Sequence, residues 1–356
     1  MQAVRLDRYA REKTSTEFGF ERNVSASTIQ RIFKRNNIHK VKPTRKQGLT
    51  NTMKAARLAF CLKYKDWVLE DWKNIIWTDE TSVVLGHRRN GSRLWRTKED
   101  RYNLTVIRPR WNGTSEFIFW SCFTYDKKGP YHIWKKEMTQ EKKQAQKELD
   151  RINAELEPQL KSIWELQTGM RWLQLRGVGG PKPSFKINKA NGAVVRDKGK
   201  GGIDWYRYQT VILKPKLIPF ALECMKEYPN TVVQEDKAPA HASQYQEAIF
   251  SAAGVMCLLW YGNSPDLNMI EPCWPFMKRT TTRKGAPTNR KTAEVEWVKY
   301  WDNMEQERIQ RWIERIVRHI QKVIELEGDN NYREGVMDEP INDVKKRAAE
   351  RARRNY

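Results

Sequence analysis

Apolar positions recur every three or four residues along some stretches of this chain and cluster or alternate along others. The two rhythms divide it into helices and strands. After Ser25, Ile29, Ile32 and Phe33 fall at i, i+3 and i+4. This predicts a helix over 26–36 capped by Ser25, with those three side chains inward and Gln30, Arg31, Lys34 and Arg35 outward. A second amphipathic helix is expected over 52–72, with Phe60, Tyr64, Trp67 and Val68 on one side. Residues 74–85, rich in Ile, Val and Trp, read as a buried strand. Residues 115–125 read as a second, and 131–134 as a third entered through a Gly129-Pro130 turn.

The rhythm changes over 141–166. Ala145, Leu149, Ile152, Leu156, Leu160 and Ile163 form a stripe like that of a coiled coil, and Pro158 inside it is expected to kink or split the helix. Residues 185–195 suggest a hairpin around Asn191-Gly192, and Gly199, Gly201 and Gly202 close the segment. Helix returns over 206–227, a short strand runs to Asp236, 241–252 is helical, 256–260 is a strand, and a helix starts near Asn268. Residues 292–327 are helical and highly charged, and a polar tail follows from Gly328, with Lys345, Lys346, Arg347, Arg351, Arg353 and Arg354 near its end. The pattern is α/β. It divides into 1–48, a partial helix-turn-helix with a basic linker; 49–137 and 204–328, the two parts of one α/β domain; 138–203, an insertion; and 329–356, a basic mobile tail.

Charge narrows the class of partner. The 356 residues carry a net charge of +23, which attracts polyanions, and nucleic acid is the first expectation. Residues 22–65 hold twelve Lys or Arg and no acid. The helix after Ser25 therefore reads as a recognition helix, against the plainer reading of a solvated surface. Lys40, Lys42, Arg45 and Lys46 lie in a Pro- and Gly-containing linker suited to phosphates or a minor groove, or equally to nuclear import. No apolar run is long enough to span a membrane and no leader pattern is evident, so a soluble, intracellular protein is expected. The five Cys and five His show neither zinc-site nor disulfide spacing. Gly177 to Gly180 follows no clear strand and is not read as a nucleotide loop. Trp95, Trp111 and Trp205 are read as core, with base stacking as the rival.

Three carboxylates carry the candidate chemistry. Asp79 lies in a strand among Ile and Trp, Asp236 ends a short apolar strand, and Glu271 follows Ser264-Pro265-Asp266-Leu267-Asn268 after a gap of thirty-four residues from Asp236. An acid in an apolar strand is costly to bury unpaired. Carboxylates from separate elements can cup hard divalent cations, and two metals ~3.5–4 Å apart supply both a nucleophile and leaving-group stabilisation at a phosphodiester. Each residue also has a structural reading. Asp79 can bond backbone amides, Asp236 can open an Asx-turn, and Asn268 with Glu271 fits a capping box. Glu80 and Glu235 are expected to face away, because neighbours on a strand alternate. His241 is read as a packed or capping side chain.

Trp77-Thr78-Asp79-Glu80, Phe119-Trp120-Ser121-Cys122, Glu235-Asp236 with Ala238-Pro239-Ala240-His241, and Ser264 to Asn268 with Ile270-Glu271 and Trp274 resemble the motifs of mariner-type (DDE) DNA transposases. The resemblance covers roughly residues 22–325, interrupted by the insertion. It implies an RNase H-like mixed sheet flanked by helices, with an N-terminal partial helix-turn-helix and a helical or hairpin insertion. It further implies Asp79, Asp236 and Glu271 as catalytic and metal-binding residues, two Mg2+ or Mn2+ ions, and cleavage at terminal inverted repeats with strand transfer into TA sites. Partners would be double-stranded DNA, as transposon ends and target, and a second copy in a homodimer on DNA; the location would be the nucleus. The insertion is similar to that of fungal members, and only part of one helix-turn-helix precedes the linker, as in a shortened N terminus. Lys237, Met269 and Pro272 depart from the family's usual residues. Two rivals stay open: a transposase-derived DNA-binding protein without transposition, and an RNase H-class nuclease acting on RNA–DNA hybrids.

Overall fold

The computed structural model describes residues 9–41, 46, 48–84, 94–102, 106, 117–174, 184–196, 203–236, 238–241, 243–258, 260, 264–283, 287, 289–332 and 334. Lys42, Arg45, Trp111, Gly177 to Gly180 and nearly all of the tail lie outside these residues.

The chain opens with α1 (Ser15–Glu21) and α2 (Ala26–Arg35), capped by Thr14 and Ser25. Ile29 and Phe33 are buried against Phe18, as the spacing predicts, but Ile32 is exposed. Two short helices bury only a narrow stripe, and Ile32 falls outside it. β1 (His39–Val41) then pairs antiparallel with a later strand. α3 (Asn51–Lys63) and α4 (Leu69–Lys73) replace the single helix expected over 52–72, and Val68, which precedes α4, is exposed.

β2 (Ile75–Val83) is the centre of the main sheet. β3 (Leu94–Arg96) is the partner of β1. β4 (Phe117–Phe123) and β5 (Lys128–Trp134) follow. The turn between them is at 124–127, so Gly129 and Pro130 lie inside β5 rather than at its entry. β5 is an edge strand, where the missing Pro N–H breaks no ladder. A Cβ at Gly129 would run into Cys122 Sγ and the Phe220 ring.

α5 (Thr139–Gln174) is one helix through Pro158, which corrects the expected split. Pro158 is on the exposed side, where water can satisfy the freed carbonyl. Ala145 and Leu149 are buried; Leu149 packs with Val194 and Trp205. The expected hairpin is instead a 3-10 turn at Lys189–Asn191. Asn188 caps it, and Gly192, with φ of 104°, closes it. Trp205 is 7% exposed and belongs to this cluster.

α6 (Trp205–Tyr208) passes through a π-helical stretch, Gln209–Leu217, into α7 (Ile218–Glu227). β6 (Val232–Gln234), α8 (Gln244–Ala252) and β7 (Met256–Cys257) come next. α9 (Cys273–Thr281), α10 (Arg290–Asp302), α11 (Gln306–Ile313) and α12 (Ile316–Glu325) complete the fold.

Among the described residues the main sheet runs β5-β4-β2-β6-β7, antiparallel across the first three strands and parallel across the last three. One face packs on α3, α9, α10, α11 and α12 through Trp77, Phe119, Trp274, Trp297 and Ile313. The other packs on the helical run 205–227 and on α8 through Ile76, Trp120, Tyr208, Phe220 and Phe250. This is the RNase H-like mixed sheet flanked by helices that the resemblance implies.

A buried ion pair ties the ends of this domain together. Arg57 on α3 grips Asp266 with both terminal nitrogens, at 2.7 and 2.6 Å, and donates from Nε to the Gly328 carbonyl at 2.9 Å. Tyr332 Oη donates to Asp266 at 2.8 Å, and His319 Nδ1 lies 2.6 Å from the Asp266 carbonyl. Gly328 adopts φ of 88°, and a Cβ there would overlap the Lys54 backbone, so only glycine lets this segment lie on α3.

Candidate active site

β2 pairs with β6 in parallel, Trp77 opposite Gln234. The ladder stops there, and Asp236 follows the end of β6 by two residues, the position that would oppose Asp79 if the register continued. On the other side Asp79 is directly opposite Ser121 of β4. Glu271 comes from the turn before α9. Asn268 fixes that turn: Oδ1 accepts from the Ile270 amide at 3.3 Å, and Nδ2 donates to the Thr78 carbonyl at 3.2 Å. α9 begins only at Cys273, so Asn268 braces the turn against β2 instead of capping a helix. Trp274 Nε1 points at Asp79 Oδ2 from 3.5 Å. Asp79 therefore lies in the middle of β2, Asp236 two residues past the end of β6, and Glu271 on the turn that enters α9.

The charges of the other carboxylates bear on Asp79. Burial pushes the Asp79 carboxyl well above the usual range, and the charges of Glu271, Glu80 and Asp236 push it further. Asp236 moves the other way. Burial opposes ionisation, but the hydrogen bond and charge of His241, with the Ala238 amide, hold it below its ordinary value.

A second set of polar groups lies on the reverse face of the sheet. Glu80 and Glu235 alternate away from Asp79 and Asp236, as strand geometry requires. Burial raises the Glu235 carboxyl to about 7, and the Tyr208 hydroxyl donates to it. His241 stands between the two sets. Its Nδ1 lies 2.6 Å from Asp236 Oδ1, and its Nε2 lies 3.5 Å from Glu80 Oε1. The second is an ion-pair distance rather than a good hydrogen bond. Burial disfavours the imidazolium, yet Glu80 and Asp236 hold its pKa well above normal. His241 is a packed side chain, as expected, and the sequence gives no sign of its two carboxylate partners.

A divalent cation fits the chemistry of the Asp79 face. Three carboxylates offer hard oxygen donors, and the like charges of Glu271, Glu80 and Asp236 add to burial in disfavouring the ionised form of Asp79. Ser121 Oγ and both side-chain polar atoms of Gln234 are buried without hydrogen-bond partners on that side of the sheet. Among the described residues no three such ligand side chains already stand arranged to hold an ion. Asp236 Oδ1 is instead engaged by His241 and Ala238.

The expected DNA-contact residues lie elsewhere. Gln30, Arg31, Lys34 and Arg35 are exposed on α2. Lys40 turns inward: its ammonium donates to the carbonyls of Glu12 and Lys13, both at 2.7 Å, and burial lowers its pKa. Its charge is used to clamp the turn before α1, beside Trp95. Lys46 pairs with Glu334 and lies 5.1 Å from the centre of the Tyr332 ring. Among the described residues no helix is long and apolar enough to cross a membrane.

A helix-turn-helix family described as "Transposase" matches residues 7–66. The Transposable element Tc1 transposase of Caenorhabditis elegans is 23% identical over 306 residues, covering 85% of this chain and 86% of the relative. The Tcb1 transposase of Caenorhabditis briggsae is 22% identical, with the same coverage. Among solved structures, the Mos1 transposase paired-end complex with left transposon end is similar in fold, with a TM-score of 0.52 and 12% identity, covering 90% of this chain and 76% of that one. The Mos1 Strand Transfer Complex gives a TM-score of 0.51 at 13% identity, covering 89% and 74%. Sequence relatives, an N-terminal family match and shared fold point the same way, and the chain is a homologue of the Tc1/mariner-type DNA transposases.

Proposed function

We propose that this chain is a metal-dependent DNA transposase that cuts at the terminal inverted repeats of its element and joins the ends to target DNA. What supports the reading is the burial of Asp79 within β2, with the carboxylates of Glu271, Glu80 and Asp236 near enough to disfavour its ionisation further, beside the buried and unpartnered Ser121 Oγ and Gln234 side chain. Asp79 and Asp236 would jointly hold divalent cations, and Glu271 would complete the second position. Two Mg2+ or Mn2+ ions bound there would activate the attacking oxygen and stabilise the leaving one. The neighbouring complexes are described with Mn and with Mg, which supports that choice of ion. The side chains of this chain perform the rest. Asn268 holds the Glu271 turn to β2, and Trp274 keeps water from one side of Asp79.

Gln30, Arg31, Lys34 and Arg35 would contact DNA from α2, with the linker cations alongside. Transposon ends and target DNA as partners, a homodimer on DNA and a nuclear location belong to the same proposal, as does insertion at TA. The test is a pair of measurements on Asp236→Asn. The account expects Mg2+-dependent cleavage to vanish while DNA affinity stays nearly unchanged, because affinity comes from cations elsewhere. Cleavage equal to that of the unaltered protein would remove Asp236 from the mechanism.

A further inference from the structure

We infer that His241 is the positioning residue of Asp236, with the Glu80 carboxylate behind it at ion-pair distance, and that it decides which carboxylate oxygen is offered to the cation. The inference rests on the metal-site reading above and adds a residue to it.

The geometry leaves the ring little freedom. The His241 side chain is 4% exposed. Its ring lies against that of Tyr208, centroids 4.2 Å apart and tilted by 46°. Its backbone amide donates to the Ala238 carbonyl at 2.8 Å, which closes the loop tightly after Asp236. Tyr208 is itself held by Glu235, and it sits where α6 passes into the π-helical stretch. The imidazole is thus wedged between an aromatic ring and two carboxylates.

The two nitrogens divide the work. Nδ1 and the Ala238 amide, at 3.0 Å, both donate to Asp236 Oδ1. With Oδ1 engaged twice, Oδ2 is the oxygen left to turn toward Asp79 and Glu271. Nε2 faces Glu80, which follows Asp79 on β2 but projects to the reverse face. The chain Glu80–His241–Asp236 therefore runs past the end of β6 from the back of the sheet toward the Asp79 face. Ligand carboxylates are commonly oriented by such outer contacts, and losing one typically weakens metal affinity by about 10–100-fold.

The test measures Mn2+ binding to the full chain without DNA, by electron paramagnetic resonance, alongside thermal unfolding. His241→Asn places an amide nitrogen near the position of Nδ1, and His241→Gln places one near Nε2. The inference expects His241→Gln to weaken Mn2+ binding roughly tenfold or more and His241→Asn to remain within about threefold of the unaltered protein. Glu80→Gln keeps His241 and the local volume, so it reports even where a His241 variant fails to fold; it is expected to weaken binding by roughly tenfold. Equal losses in the Asn and Gln variants that track their melting temperatures would reduce His241 to packing and overturn the inference. So would unchanged Mn2+ binding in both His241→Gln and Glu80→Gln. Asp236→Asn separates the two levels of the argument. If it binds Mn2+ normally, the metal-site reading itself fails; if it loses Mn2+ while the His241 and Glu80 variants do not, only the positioning role fails.

Discussion

Replacing Asp266 by Asn tests how the buried clasp supports the Glu271 turn. Arg57 is fully buried and the Asp266 side chain is 4% exposed, so water cannot replace what the substitution removes. Asn retains one oxygen for the guanidinium but loses the charge and one arm of the bidentate contact at 2.7 and 2.6 Å. Removing one partner of a buried pair leaves the other charge stranded, which costs about 3–5 kcal/mol. That is a large share of the ~5–15 kcal/mol that keeps a domain folded. Guanidinium unfolding followed by the buried tryptophans measures it.

The clasp also sets a pH dependence. Burial alone would raise the Asp266 carboxyl, but the hydrogen bonds and charge of Arg57 hold it below its ordinary value. Burial holds His319 below its ordinary value, against the Asp266 carbonyl. A folded-state pKa below the unfolded one means stability that is present at high pH and lost as pH falls. The His319 contribution should begin to fade as pH drops through about 6.5, and the Asp266 contribution below about 3.9. Asp266→Asn should flatten the lower part of that profile. A loss of under ~1 kcal/mol at neutral pH, with an unchanged acid limb, would show that the clasp contributes nothing to stability.

Two further outcomes are expected. Deleting residues 1–48 should flatten the slope of log affinity against log salt, because the cations on α2 and in the linker release counterions on binding DNA; an unchanged slope would make them a solvated face. Gly129→Ala should destabilise by about 1–3 kcal/mol, since the new methyl meets Cys122 and Phe220; thermal unfolding of the full chain reads this, and an unshifted midpoint would show that the neighbours can yield.

The strands that carry Asp79 and lead to Asp236 are legible in the sequence because their apolar residues alternate or cluster in the expected way. Alternation along β2 puts Glu80 on the face opposite Asp79, while Glu235 and Asp236 follow the end of β6. Ser25 as a helix cap was legible for a similar reason, since the signal is local. What sequence could not show depended on tertiary context. Pro130 looks like a turn residue until β5 proves to be an edge strand, and Pro158 looks like a break until its face proves to be solvent-exposed. Asn191-Gly192 carries a hairpin signal, but Asn188 satisfies the same backbone groups as a 3-10 cap. Lys40 belongs to a basic run, yet two nearby carbonyls claim its ammonium. His241 was underread because Glu80, the partner that gives it a role, lies 161 positions earlier on another strand.

Asp79, Asp236 and Glu271 are proposed to form one cation-dependent cutting site. This is tested most directly by cleavage of duplex DNA carrying the element's ends, in Mn2+, by Asp79→Asn, Asp236→Asn and Glu271→Gln. Glu223→Gln, at an exposed carboxylate paired only with Lys127 among the described contacts, serves as the control. The account predicts that each of the three loses cleavage while still binding DNA, and that the control cuts as the unaltered protein does. Retained cleavage in any one of the three would contradict it.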